Sequence, residues 1–273
     1  MKKNYTLFIA TTTVAMIVMV FPFIWVFLTS LKPEYEIFGK NAYMPFTQNA
    51  TLQHYTSVIF EKGILNSVKN SLIISGLTTL YIVVVASLSA YIISRYDFRF
   101  KSLLMGIILA VSMFPQMIIV GPVYNLFTKL GMTNSYWVTL PYCTITLPVA
   151  VWILVTHFNK IPTSLEEAAR IDGCSSMQAL VRVIFPLAAP GVFTTAIIVF
   201  IAAWNEFLLT ITLNTNKSFH TVPVAVSFLR TQFQILWGQT TAATIIVTIP
   251  TLVIVLIFQK QIVSGLISGA VKE

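Results

Sequence analysis

The chain has 273 residues, 56% hydrophobic and 10% charged, with a formal net charge of +8, whereas ordinary soluble domains carry roughly 25% charged residues. At a mean hydropathy of +0.83 the apolar surface exceeds what one water-soluble core can hide, so lipid is the expected solvent. The basic residues are scattered between apolar stretches rather than run together, which excludes a nucleic-acid groove, and the two cysteines, Cys143 and Cys174, are too few and too differently placed for a disulfide framework or a zinc site.

In chain order, uncharged stretches long enough to cross the hydrocarbon layer predict six membrane helices near 7–29, 71–93, 103–126, 136–156, 188–210 and 242–260. Lys2 and Lys3 precede the first, as in a secretion signal, but the run from Leu7 to Leu28 exceeds a signal's ~7–15-residue core and no small-x-small site comes after it, so it reads as a retained anchor. An even number of spans puts both termini on one side. With termini inside, Lys2, Lys3, Arg95, Arg99, Lys101, Lys160, Arg170, Arg182, Lys260 and Lys272 are cytoplasmic, and Arg95, Arg99 and Lys101 crowd one short loop. The expectation is an all-α, multi-pass protein of the cell (inner) membrane with cytoplasmic termini. It divides into an anchor (1–30), an extracytoplasmic loop (31–70), a five-helix core (71–262) and a tail (263–273). Prolines 22, 115, 141, 148 and 250 are expected to kink or loosen their spans, and Ser75, Gly76, Ala86 and Ala90 to allow close helix approach.

The long outer connections hold aromatic residues. Tyr35, Phe38, Tyr43, Phe46, Tyr55 and Phe60 lie in 30–70, and Phe219, Phe228, Phe233 and Trp237 with Lys217, His220 and Arg230 lie in 211–241. Such residues anchor at lipid boundaries and also suit a docking surface. The three histidines, His54, His157 and His220, sit at loops or a membrane boundary and read as interface residues rather than catalysts.

Residues 157–187, on the cytoplasmic side, contain two helix starts and two stops. Thr163 and Ser164 each have a glutamate three residues on, Glu166 and Glu167, so either suits a capping box. Gly173 suits the left-handed residue that ends a helix, Ser175 with Gln178 offers a second capping box, and Pro186 limits the helix after that box. The first short helix presents Leu165, Ala168, Ala169 and Ile171 among Glu166, Glu167, Arg170 and Asp172. At two to three turns it needs a partner surface, either another protein or the chain's own loops.

Glu167-Ala168-Ala169, three residues, Gly173, nine residues and Val183-Ile184-Phe185-Pro186 resemble the EAA loop of ABC importer permeases, E-A-A-x3-G-x9-I-x-L-P, with Val183 for Ile and Phe185 for Leu. Ala203-Trp204-Asn205-Glu206-Phe207 and the tail Gly265–Lys272 resemble the sugar-importing branch, most of all the shorter permease of maltose-type transporters, although many relatives end in Gly where this chain has Glu273. The resemblance covers the whole layout and implies a type I ABC importer permease fold with a cytoplasmic coupling helix. Glu166, Glu167, Ala168, Ala169, Arg170, Asp172 and Gly173 would dock into an ATPase. It implies as partners an ABC ATPase dimer, a second homologous permease, an extracytoplasmic solute-binding protein and a sugar, with ATP and Mg on the ATPase subunits and no cofactor on this chain. The sequence has no G-x-x-x-x-G-K-[ST] phosphate loop, so the expectation is a non-catalytic subunit.

Glu206 is the only acid within a predicted span. From a helix start near Leu187 it lies ~28 Å along, close to the outer edge of a ~30 Å hydrocarbon core, so it and Asn205 either reach the headgroups, brace an outer gate or face the substrate path. Two other readings stay open on sequence alone. One is a stand-alone ion-gradient transporter, which ordinarily needs ionisable groups at the midplane; the other is an ABC importer permease for a non-sugar solute.

Overall fold

The computed structural model describes residues 2–40, 42–230 and 235–270, with side chains described from Leu7 to Lys260. Phe233, the side chains of Lys2 and Lys3, those of Gly265–Ala270, and the tail residues Lys272 and Glu273 lie outside them. Among the described residues the chain is helical, with α1 Lys2–Ser30, α2 Ile64–Arg95, α3 Lys101–Ser112, α4 Gln116–Lys129, α5 Thr139–Asn159, α6 Thr163–Ile171, α7 Ser176–Trp204, α8 Leu208–Leu213 and α9 Trp237–Ala270. Five of these are long and apolar enough to cross a membrane, and α3 with α4, bent by 88° at their junction, are together long and apolar enough for a sixth.

The break falls at Pro115, one of the prolines expected to kink its span, and it interrupts the stretch expected at 103–126 rather than only bending it. Pro115 has no N–H to donate and disfavours the helical conformation of Phe114 before it, so α3 ends at Ser112 and α4 restarts after Pro115 at φ −63°, ψ 123°. Pro22 and Pro250 sit inside the continuous helices α1 and α9. Pro186 also fails to limit its helix. A π-helical turn at Leu180–Ile184 leads directly into Phe185–Trp204, so the chain runs unbroken from Ser176 to Trp204.

The chain forms two compact units. One comprises residues 1–65 and 225–252, the other 66–224 and 253–273. In the second, α2, α5 and α7 enclose a core of Ile82, Ala86, Ala90, Leu154, Phe158, Ile184 and Val199. Lipid offers no hydrophobic drive between helices, so small residues and polar contacts decide where they meet. Ala86, Ala90 and Ser75 are buried as expected, whereas Gly76 is exposed with open space beside it. A tight approach is found elsewhere in this unit. A Cβ on Gly191 of α7 would overlap the His157 ring of α5, so this glycine is what lets the half-buried histidine lie against α7.

The N-terminal end of α2 carries a buried polar row. Asn70 donates to the carbonyls of Ser218 and His220 at 2.8 and 3.0 Å and accepts from the Tyr136 hydroxyl at 2.9 Å. Ser71 Oγ accepts from the Val222 N–H at 2.9 Å. The segment 214–222 is thereby tied to α2, and burial lowers the His220 pKa below its usual 6.5, with Lys217 adding to the effect against a backbone hydrogen bond that opposes it.

In the first unit, the 31–63 connection is folded. Thr51 N–H donates to Leu31 O at 2.9 Å, closing a neck, and Lys32, only 2% exposed, donates from Nζ to the carbonyls of Ala42 and Met44 at 2.9 and 2.5 Å. The same ammonium lies 5.2 Å from the centre of the Trp25 ring. His54 is buried against Lys32 O at 2.9 Å, and Val58, Ile64, Leu229 and Ala243 form a small core.

Candidate functional site: the 157–187 loop and the Glu206 break

The expected helix 163–171 forms, but not by the expected caps. Its N-cap is Pro162, and no side chain caps it. Glu166 is instead turned inward, 4% exposed. Its Oε1 accepts from the Tyr91 hydroxyl at 2.5 Å and from Arg170 Nη2 at 2.6 Å, and its Oε2 accepts from Arg95 Nε at 3.1 Å. Arg95 also donates to Ile161 O at 3.1 Å. Tyr91 and Arg95 stand one turn apart at the end of α2, so the carboxylate bolts α6 to that helix.

The stop and the second start are as the sequence reads. Gly173 adopts φ +85°, which costs a side-chain-bearing residue about 1–2 kcal/mol, and the amides of Gly173 and Cys174 return to Arg170 and Ala169. Ser175 and Gln178 make a reciprocal capping box at 2.8 and 3.3 Å. Of the sequence-nominated residues, Glu166 and Ala169 face inward. Glu167, Ala168, Arg170, Asp172 and Gly173 are exposed, and Ile171 is 87% exposed. Leu165, Ala168 and Ile171 repeat every three residues on the face opposite Glu166, an apolar strip bordered by charges. The hydrogen bond to Glu166 raises the Arg170 pKa further above its usual value, so this guanidinium stays charged and paired with the inward carboxylate.

Glu206 and Asn205 lie outside the fifth span, which ends at Trp204 rather than 210. Asn205 caps that end and its side chain returns to Ile201 O at 2.9 Å. Glu206 begins the next element. The N-cap of α8, Phe207, offers no side-chain acceptor, and Glu206 supplies it, taking the Leu209 and Thr210 N–H groups at 2.8 and 3.3 Å on its two oxygens. The carboxylate is therefore neither a mid-helix charge nor a group reaching the headgroups. It borders a cavity of about 340 Å³ with Gln116, Tyr142, Thr146 and Asn205, and Tyr142 hydrogen-bonds Thr210 beside it.

Sequence reasoning missed Tyr91, Tyr142 and Thr210, and it read Arg95 only as an orienting loop charge. Among the described residues no three His, Cys, Asp or Glu side chains are grouped to hold a metal.

Residues 82–268 match the family described as binding-protein-dependent transport system inner membrane component. The chain belongs to this family. Its curated relatives include the trehalose/maltose transport system permease protein MalG of Thermococcus litoralis, 40% identical over 94% of this chain and 92% of that protein. The trehalose transport system permease protein SugB of Mycobacterium tuberculosis is 40% identical over 92% of each, and the sulfoquinovosyl glycerol transport system permease protein SmoH of Agrobacterium fabrum is 36% identical over 92% of this chain and 88% of that one. A crystal structure of a bacterial ABC transporter involved in the import of alginate superposes with a TM-score of 0.78 at 19% identity, covering 95% of this chain and 96% of the other. This inner membrane component thus has the ABC importer permease fold and is a multi-pass membrane protein.

Proposed function

We propose that this chain is a non-catalytic permease subunit of an ATP-driven importer for a di- or oligosaccharide. It would form half of the pathway with a second homologous permease, served by an extracytoplasmic binding protein and an ABC ATPase dimer that holds ATP and Mg. The relatives named for trehalose, maltose and sulfoquinovosyl glycerol support the substrate class, and a neighbouring alginate transporter, solved with a pentasaccharide-bound periplasmic protein, supports the binding protein.

The observation that carries the reading is α6: a nine-residue helix, too short to persist alone, bolted by a buried carboxylate on one face and presenting Leu165, Ala168 and Ile171 on the other. In this reading the exposed face docks into the ATPase, with Glu167, Arg170 and Asp172 fixing its orientation and Gly173 its exit. The termini and 163–173 face the cytoplasm. ATP binding draws the ATPases together and pulls α6, the Glu166 bolt passes the pull to α2, and hydrolysis resets the pathway.

The decisive experiment is purification of the tagged chain from native membranes in gentle detergent with mass spectrometry of its companions. An ATPase, a second permease and a binding protein in fixed ratio are expected. The chain alone, carrying a gradient-driven flux, would overturn the proposal in favour of a stand-alone transporter. Within the complex, Asp172→Lys and Gly173→Val should leave ATP hydrolysis running while uptake falls at least tenfold.

A further inference from the structure

The loop between α1 and α2 encloses a groove that the transport reading does not use. It measures about 410 Å³, within the range of small-molecule sites, and is lined by the Tyr35–Lys40 segment on one side and Met44–Asn49 on the other. Two rings stand open at it, Tyr35 at 66% and Phe46 at 78% exposure. Asn49 Nδ2 donates to the Tyr35 hydroxyl at 3.1 Å and to Glu36 Oε1 at 3.3 Å, which orients the amide at the groove.

The groove is built, not incidental. Its far wall is fixed by Lys32, whose buried ammonium holds the Ala42 and Met44 carbonyls, and its neck by the Thr51–Leu31 hydrogen bond. Burying a lysine is costly unless its donors are satisfied, and here the ammonium satisfies them on the backbone that shapes the wall. Beneath the near wall, Gly39 sits where a Cβ would stand 2.9 Å from Tyr35 O, so the turn closes tightly under the ring.

Aromatic faces suit the apolar C–H face of a pyranose, and planar amide and carboxylate groups suit its hydroxyls. Glu36 and Lys40 contribute one charge of each sign, which gives the groove no net attraction for an ion and fits a neutral polyol. We propose that this groove is a carbohydrate-holding subsite, with Tyr35 and Phe46 as stacking platforms and Glu36 and Asn49 as hydroxyl acceptors. Its residues are none of those around Glu206, and it takes sugar whether or not the importer reading holds.

The test uses the full chain in nanodiscs without any binding protein, with maltose at millimolar concentration as the probe and saturation-transfer NMR as the readout. Transfer to the sugar ring protons is expected, falling at least threefold in Tyr35→Ala and in Phe46→Ala and recovering in Tyr35→Phe, which keeps the ring and so separates loss of stacking from loss of fold. A chain changed at Glu206 should keep the signal, which assigns it to the groove. Absence of transfer, or transfer that survives both ring truncations, overturns the subsite. Ring truncations that leave maltose contact intact but weaken capture of the binding protein also overturn it, making the groove a protein-docking surface. Uptake by cells carrying the whole transporter reports separately on the importer reading.

Discussion

Arg95→Ala should loosen α6 from the membrane core. The side chains of Arg95 and Glu166 are each 5% exposed and meet at 3.1 Å, and breaking a buried pair by deleting one partner costs about 3–5 kcal/mol because a charge is left behind in low dielectric. Glu166 keeps Tyr91 and Arg170 in the variant, which favours the lower end, about 3 kcal/mol, or roughly a hundredfold in an opening equilibrium. The assay is amide hydrogen exchange over 163–173 in nanodiscs, where Arg95→Ala should raise exchange by about that factor while the centre of α5 stays protected. Arg170→Ala is the control. Its side chain is 47% exposed, so its bond to Glu166 is screened and exchange should stay close to wild type. Exchange that rises less than threefold in Arg95→Ala, or rises equally in both variants, would refute the bolt.

Three further outcomes are expected. Gly191→Ala places a methyl within the His157 ring and should cost about 1–3 kcal/mol, read as a lower thermal midpoint that His157→Ala in the same chain restores. Glu206→Ala orphans two buried amides, so α8 should lose protection and the midpoint should fall, with Glu206→Gln intermediate because one acceptor oxygen remains; a melting curve unchanged in Glu206→Ala would remove its capping role. His220 has a pKa lowered by burial, so its neutral form is the one the fold favours: protection of 216–222 should be flat above about pH 6.5 and decline as the pH falls below it, and a decline on raising the pH would contradict the sign.

How far the fold is legible in the sequence depends on the range of the forces involved. Gly173 and the Ser175–Gln178 box are settled within four residues, and both are found as read. Membrane spans arise from composition over some twenty residues and are found with shifted ends. Glu166 illustrates the failure. A glutamate in the first turn of a helix suits the dipole and the cap equally well, and only the arrival of Tyr91 and Arg95, 75 and 71 positions away, turns it inward. Proline is likewise ambiguous on its own. Pro115 ends a helix, Pro22 and Pro250 do not, and Pro186 is absorbed by a π turn, because neighbouring backbone decides which freed carbonyls find partners. Glu206 reads as an intramembrane charge only because the break after Trp204 carries neither glycine nor proline to announce it.

The unbroken helix from Ser176 to Trp204 also restricts how this chain can change its length. Each residue of an α-helix turns the next by about 100°, so a deletion between Phe185 and Ala188, past the π turn, rotates everything upstream of it relative to the packed face of Ala188 and Val192. Ala179, Leu180 and Ile184 would then swing away from the core and the exposed Met177 and Val181 into it. Substitutions along the α-helical part are read one side chain at a time, but insertions and deletions there are read as a change of phase, and only the π turn at 180–184 has slack to take up a residue.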